Sequence, residues 1–312
     1  MTDLLAIVWD FDPVFFSIGS FEIRYYSLMW AAALLVGGWI FAYFCRKEGR
    51  PPQLADSAFL YIALGTMIGA RVGHCLFYEP EYYLLKPWAI ITEIRNGGLA
   101  SHGATIGILT AIWLCSRKNK VSVMWMTDRL AIIAPISGAL IRFGNLFNSE
   151  IIGNVTDVAW GFKFVRLYPN LPLEAIPVRH ATQLYEALCY LTTFAILWWM
   201  YHRTDAPRRR GLLFGVAMMG IFLTRIFIEF IKVDQVAFEQ GMTFNMGQWL
   251  SVPFVLLGLV SIWYSYHRGV VADDEKGASQ KRPAAKPAKK RKEYLWQIIF
   301  LLRRPTRLPV IA

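Results

Sequence analysis

The sequence predicts an all-α integral membrane protein with about seven transmembrane helices. The 312 residues are 55% hydrophobic, with a mean hydropathy of +0.37. Charged residues make up 18% of the chain, against roughly 25% in soluble domains. The apolar residues fall in long runs, and a membrane helix needs about 20 of them. These runs lack the polar–apolar alternation that is typical of outer-membrane strands.

Seven apolar runs are expected to be the spans. In chain order they cover 26–44, 57–77, 101–116, 123–141, 182–201, 212–231 and 246–266. The third run is short and rich in glycine, which predicts a helix that is tilted or partly irregular. The membrane-embedded domain is therefore expected over residues 1–270, followed by a basic tail over 271–312.

Basic residues predict the orientation of the spans. Clusters of Lys and Arg follow runs one, three and five, and twelve more follow run seven. The loops on the opposite side carry fewer. Because cytoplasmic loops are enriched in Lys and Arg, we expect the N-terminus outside and the C-terminus in the cytoplasm. The first twenty residues have no basic region, so no cleavable signal peptide is expected.

The net charge of +11 reflects these loops and the tail, and we expect no nucleic-acid partner. Residues 276–292 alternate Lys and Arg with Ala and Pro, which predicts disorder, and the apolar stretch 294–302 is too short to span. Two alternatives stay open for the tail. Its apolar stretch binds anionic lipid headgroups at the interface, or the tail is simply solvated.

The four cysteines, Cys45, Cys75, Cys115 and Cys189, lie in or next to the apolar runs. They form no CxxC pair and no metal-binding spacing. We interpret them as small packing residues, and the sequence predicts neither a metal site nor a cofactor.

Polar residues at the outer end of the fourth run predict a substrate site. The segment 142–150 contains Arg142, Asn145, Asn148 and Glu150, and Gly153 follows it. Polar groups at membrane depth are costly, so they usually mark function. The guanidinium fork of arginine matches phosphate oxygens, and the anion that a membrane offers is lipid phosphate. A phospholipid headgroup is therefore the expected ligand.

Further polar residues reach the same side of the membrane. Tyr26 and His102 begin the first and third runs, and histidine is the usual proton acceptor near neutral pH. Arg225 and Glu229 are four residues apart, hence on one helical face. They form either a structural ion pair or part of the site. Tyr26 is also consistent with an interfacial aromatic belt.

Arg71 and His74 have alternatives of the same kind. Arg71 lies between small residues and is consistent with a bridge between helices. His74 is consistent with a hydrogen-bonded core histidine.

Four motifs make this chain resemble the prolipoprotein diacylglyceryl transferases of bacterial inner membranes. They are RFGNLFNSEIIG at 142–153, GGLASHGATIG at 97–107, RHATQLYE at 179–186, and RIFIEFIK at 225–232 with MGQ at 246–248 downstream. The resemblance covers residues 15–266. The chain departs from the family pattern at Ile141, Ala104, Ala181 and Ile221.

The resemblance implies an enzyme that moves the diacylglyceryl group of phosphatidylglycerol onto the lipobox cysteine thiol of a prolipoprotein. A thioether forms and glycerol phosphate leaves, which is the first step of lipoprotein maturation. The site is expected to face the periplasmic leaflet of the bacterial inner membrane.

The resemblance also implies roles for the polar residues. Arg142 is the expected phosphate ligand, and Arg225 a second cation or a gate. For His102 the expected role is that of a general base or of an anchor for a hydroxyl group. In the alternative, His102 only fixes a loop, and Arg142 lowers the pKa of the thiol without a base. Asn145 and Tyr26 are expected to orient the headgroup, and Glu150 to hold one of the arginines. The substrate site is completed by Asn148, Gly153 and Glu229.

Two further alternatives remain. A lipid or organic-anion transporter could use the same polar site, although transporters show repeats and broken helices in both halves, and this chain shows no convincing repeat. The outward loop 144–181 is expected to form a small periplasmic cap that receives the precursor, or else a plain solvated connector.

Overall fold

The computed structural model describes residues 6–19, 21–93, 98, 100–234, 239 and 241–270. The predictions for the tail 271–312 lie outside these residues, as does Gly97 of the second motif. The described residues lie in one compact unit of the chain.

Helices cover all seven predicted runs. Two short helices, α3 and α4, lie between the second and third of them. The bounds are α1 Tyr25–Lys47, α2 Pro52–Phe77, α3 Pro80–Leu85, α4 Ala89–Thr92, α5 Ser101–Asn119, α6 Val123–Phe147, α7 Thr182–Arg203, α8 Leu212–Met218, α9 Thr224–Glu229 and α10 Met246–Arg268.

Five helical segments are long and apolar enough to cross a membrane, namely α1, α2, α6, α8–α9 and α10. The chain is therefore an integral membrane helical protein. A π-helical turn, Met219–Leu223, joins α8 to α9. Such turns often accompany functional sites, and this one comes directly before the segment that carries Arg225.

The glycines around His102 bring two helices together. α5 is a regular helix, so the irregular alternative for the third run is wrong. Gly65 and Gly69 on α2 face Gly103 and Gly107 on α5: a Cβ on Gly65 would lie 2.6 Å from the carbonyl oxygen of Gly107. Small residues allow this close backbone approach, so these glycines contact a helix rather than a ligand.

The segment between α6 and α7 folds into a cap together with the N-terminus. Strand β1, Ile7–Trp9, pairs in parallel with β4, Phe162–Phe164, in which Phe164 is fully buried. Strand β2, Val14–Ile18, pairs antiparallel with β3, Phe21–Arg24. The segment after α6 is thus packed against an N-terminal strand that no sequence pattern predicted, and its role as a periplasmic cap stays a prediction.

Polar contacts far from Arg142 hold the other end of the helices. Glu48 accepts hydrogen bonds from Trp125 Nε1 at 2.6 Å, Arg129 Nε at 3.0 Å and the Tyr201 hydroxyl at 2.7 Å. The buried Asp128 carboxylate accepts from the backbone N–H groups of Gly211 and Phe214, at the beginning of α8. These contacts join α1, α6, α7 and α8.

Candidate active site

Arg142 is held by a buried carboxylate of the next long helix. α6 continues to Phe147, past its predicted end, so Arg142 and Asn145 both lie on this helix. The Nε atom of Arg142 is 2.6 Å from Oε2 of Glu186 on α7, whose side chain is fully buried. Its Nη1 atom donates to Oδ1 of Asn145 at 3.2 Å. Tyr190, one turn after Glu186, also contacts the guanidinium.

A buried lysine extends this contact into a chain of charges. The Nζ atom of Lys232 donates to Oε1 of Glu186 at 2.9 Å and to Oε2 of Glu229 at 2.7 Å. Arg225 Nε lies 3.9 Å from the same Glu229 oxygen. We call this set the charge chain; in order of contact it consists of Arg142, Glu186, Lys232, Glu229 and Arg225.

The charge chain carries an excess positive charge at its accessible ends. Glu186, Lys232 and Glu229 have side chains that are at most 4% exposed, whereas Arg142 is 15% and Arg225 31% exposed. Buried charges are tolerated when they are paired, and the central three satisfy one another. With three cations and two carboxylates, the five residues of the charge chain carry a net charge of +1, which favours an anion at the accessible ends.

Arg225 is held more loosely than Arg142. Its Nε atom is buried and has no hydrogen-bond partner among the described residues. The ion pair with Glu229, one of the two alternatives for these residues, is present at 3.9 Å, but Lys232 contacts that carboxylate more closely. Arg225 can therefore turn toward a ligand without leaving a carboxylate unpaired.

Glu150 reaches Arg142 only through the side-chain amide of Asn145, so its predicted direct pairing with an arginine is wrong for the described contacts. Its carboxylate accepts hydrogen bonds from Asn145 Nδ2 at 3.1 Å and from Asn148 Nδ2 at 3.0 Å. The physical reason is the backbone turn after α6, where Ser149 and Ile151 have φ values of +56° and +58°. This turn directs the carboxylate to the amides, while Glu186 takes the guanidinium.

Gly153 closes the site from the cap. Its N–H donates to the carbonyl of His180 at 2.9 Å, and it forms an isolated bridge with Lys232. A Cβ at this position would lie 2.8 Å from the carbonyl oxygen of Ile231. Gly153 thus allows the cap to approach the backbone that carries Lys232, and its predicted contact with substrate stays a prediction.

Tyr26 lies next to the site, and His102 lies apart from the charge chain. A Cβ on Gly144 would be 2.8 Å from Tyr26 Cδ2, so Tyr26 packs on α6 beside Asn145. His102 is exposed in the first turn of α5. In the part of the chain that the structure describes, no contact joins it to the charge chain, and its role stays a prediction.

Arg71 and His74 support the segment that precedes α5. Arg71 is 3% exposed and donates to the carbonyls of Ile90 at 2.9 Å and Ala89 at 3.2 Å. The His74 ring stacks on Tyr78, with 5.5 Å between the ring centroids. These contacts favour the structural alternative for both residues.

Two residues that organise the charge chain were not predicted from the sequence. Glu186 and Lys232 lie in the third and fourth motifs, but neither received a role. Two signals were available: Glu186 is an acidic residue inside an apolar run, and Lys232 follows Glu229 by three residues, a spacing at which side chains can meet; in the structure Lys232 lies just after the end of α9.

Comparison with known proteins gives one family over most of the chain. The family model described as prolipoprotein diacylglyceryl transferase matches residues 13–264. The chain is 46% identical over 272 residues to the phosphatidylglycerol–prolipoprotein diacylglyceryl transferase of Porphyromonas gingivalis, covering 83% of this chain and 94% of that relative. Its identity to the enzyme of the same name from Tolumonas auensis is 43% over 255 residues, covering 81% and 95%. For Cupriavidus metallidurans the identity is 34% over 270 residues, covering 83% and 95%.

Proposed function

This chain belongs to the prolipoprotein diacylglyceryl transferase family, and from that premise we propose how its charge chain serves the reaction. The protein is a transferase that moves a diacylglyceryl group from phosphatidylglycerol to a prolipoprotein. The observation that carries the proposal is the excess positive charge at Arg142 and Arg225, beside the amides of Asn145 and Asn148. No comparison favours the transporter alternative.

The membrane arrangement follows from the basic loops. Seven helical segments span the bacterial inner membrane, with the N-terminus in the periplasm and the C-terminus in the cytoplasm. Five helical segments are long and apolar enough to cross; α5 and α7 are not among them, and the proposal counts them because they are helical at the two remaining predicted runs. Arg142 and the cap then face the periplasmic leaflet, and the amide-rich turn after α6 meets the headgroup region.

The reaction needs a thiolate nucleophile and a stabilised leaving group. The sulfur of the lipobox cysteine attacks the glycerol carbon that bears the phosphate; a C–S bond forms, the C–O bond breaks, and its electron pair leaves with glycerol phosphate. A thiol has an unperturbed pKa near 8.5, so its proton must pass to a base, for which His102 remains the candidate. Arg142 and Arg225 stabilise the charge that grows on the phosphate oxygens.

The headgroup is oriented by neutral donors. Asn145 already shares a hydrogen bond with Arg142, and Tyr26 packs beside it. In this arrangement Asn148 and Glu150 shape the amide network, while Glu229 acts on the substrate through Arg225 and Lys232. Gly153 is the remaining residue proposed to contact the substrate. Because it packs closely on the backbone next to Lys232, it keeps the cap beside the charge chain.

A transfer assay with the purified full chain tests the proposed function. We expect a lipobox-cysteine peptide to gain the mass of a diacylglyceryl group when phosphatidylglycerol is supplied, with an equal amount of glycerol phosphate released. A peptide with serine in place of the cysteine is the control and should gain no mass. A folded wild-type chain that leaves the cysteine peptide unchanged would contradict the proposal.

The cap receives the precursor peptide in this proposal. Trp160 is 61% exposed on the cap, and its Nε1 donates to the Tyr185 hydroxyl at 3.0 Å. Tyr185 directly precedes Glu186, so this tryptophan lies above the helix that holds Arg142. Exposed aromatic side chains are frequent anchors in protein–peptide contacts.

We expect Trp160→Ala to raise the KM for the peptide about fivefold and to leave kcat unchanged, since an anchor that binds ground and transition states equally affects binding alone. Peptide titration at saturating phosphatidylglycerol measures both constants. Tyr185→Phe, which removes the hydroxyl that contacts Trp160 and His180 but keeps the Trp160 ring, is the control and should have a smaller effect. Wild-type KM in Trp160→Ala would show that the cap does not bind the peptide through this residue.

A further inference from the structure

Tyr190 lies beside both accessible ends of the charge chain. It is on α7, one helical turn after Glu186, and only 5% of it is exposed. Its hydroxyl contacts the guanidinium of Arg142 and also interacts with the charge of Arg225. Because one hydroxyl interacts with both arginines, the two ends of the charge chain come close together around Tyr190.

The aromatic ring of Tyr190 is held by small neighbours. A Cβ on Gly138, one turn before Arg142 on α6, would lie 3.1 Å from Cδ2 of the ring. Ala139 and Ala187 are at most 1% exposed and belong to the same apolar cluster as the ring. Close packing of this kind leaves a side chain few other positions. The hydroxyl is therefore presented to Arg142 as a fixed group.

The other partners of Arg142 leave its guanidinium incompletely fixed. An arginine can pair with a carboxylate through two parallel hydrogen bonds, but the second oxygen of Glu186 accepts from Lys232 at 2.9 Å. The Nε atom of Arg142 lies against the first oxygen, and Nη1 donates to Asn145 at 3.2 Å. Two contacts define an axis about which the planar group can still tilt. A third contact, with Tyr190, restrains this tilt.

We propose that Tyr190 is a positioning residue for the transfer reaction: it orients the guanidinium of Arg142 so that its remaining N–H groups meet the lipid phosphate on the side of Arg225. This inference rests on the proposed function, and Tyr190 acts through Arg142 without touching the substrate. A guanidinium has five N–H donors, so three contacts leave at least two for phosphate oxygens, enough for a bidentate pair. A donor that is already oriented needs no reorganisation when charge grows on the phosphate.

Tyr190→Phe tests this role, because it removes the hydroxyl and keeps the ring. We expect kcat per folded protein to fall about tenfold, while KM for phosphatidylglycerol changes by less than about twofold, since orientation matters most where charge grows in the transition state. Tyr201→Phe is the matched control. Tyr201 lies on the same helix and is also 5% exposed, but its hydroxyl donates to Glu48 at 2.7 Å, far from Arg142. This control loses a buried hydroxyl as well, and its kcat should stay within about twofold of wild type.

Combination with Arg142→Lys separates positioning from a general structural role. Lysine has no guanidinium to orient, so adding Tyr190→Phe to Arg142→Lys should lower kcat by less than about twofold. Non-additivity of this size is expected when two residues act through one contact. A further tenfold loss in the double variant would overturn the inference. An equal loss of kcat in Tyr201→Phe, or wild-type kcat in Tyr190→Phe, would do the same.

Tyr190→Met is the second variant if Tyr190→Phe does not fold. Its flexible apolar side chain fills much of the same space without a hydroxyl. We expect the same loss of kcat in this variant and the same small effect in the Arg142→Lys background, and wild-type kcat would overturn the inference. Absence of transfer by the wild type would instead overturn the proposed function, so the two failures are distinguishable.

Discussion

Arg142→Ala is expected to lower the transfer rate by about 10² to 10³, the range observed when a single donor to a developing oxyanion is removed. The substitution also takes one cation from the charge chain, which leaves Lys232 and Arg225 balanced by Glu186 and Glu229. The excess positive charge that attracts phosphate is then lost. The measurement is diacylglyceryl transfer to a lipobox peptide at saturating phosphatidylglycerol, with the folded variant confirmed by gel filtration.

Two further variants separate charge from geometry. Arg142→Lys keeps the charge but loses the planar fork, so its rate should lie between those of wild type and Arg142→Ala. Arg142→Ala leaves the buried Glu186 carboxylate without one of its cations. Adding Glu186→Gln removes the charge of that carboxylate as well. If the loss comes from the phosphate site, this double variant remains inactive. Wild-type activity in Arg142→Ala would refute the assignment of Arg142 as phosphate ligand.

Lys232→Met is expected to cause the largest loss of stability among substitutions in the site. Lys232 is 1% exposed and contacts Glu186 and Glu229, each of which is at most 4% exposed. Its removal leaves two buried carboxylates near each other without their shared cation. Breaking a buried ion pair in this way costs about 3–5 kcal/mol. Denaturation of the purified protein in mixed detergent micelles measures the change in the free energy of unfolding.

A second substitution shows whether the loss arises from unpaired charge or from lost packing. In Lys232→Met with Glu229→Gln, one of the two carboxylates that lost Lys232 is replaced by a neutral amide, so part of the stability should return. Non-additivity of this kind is expected for residues in direct contact. If Lys232→Met unfolds at the same denaturant concentration as wild type, the charge chain does not stabilise the fold.

The helices and the chemical class of the site could be predicted because they depend on local properties of the chain. An apolar run of about 20 residues is stable in a bilayer wherever it occurs, and all seven runs are helical. An arginine at membrane depth is costly wherever it occurs, which identified Arg142 and Arg225. The spacing of Arg225 and Glu229 on one helix predicted their pairing.

The partners of these residues depended on which helix faces meet. Glu150 is close to Arg142 in sequence, yet the left-handed turns at Ser149 and Ile151 direct it to amides. Glu186 and Lys232, 46 residues apart, meet at 2.9 Å. No periodicity or composition encodes that contact.

The sequence by itself determined the membrane class, the helix positions, the family and the cationic character of the site. Only the tertiary structure decided that Glu186 holds Arg142, that Lys232 joins two carboxylates, and that Gly103 and Gly107 approach a helix. The physical reason is that the free energy of placing one residue in a membrane depends mainly on that residue and its neighbours in sequence. The pairing of buried charges depends instead on distances of a few ångströms between helices, which the packing of the whole bundle sets.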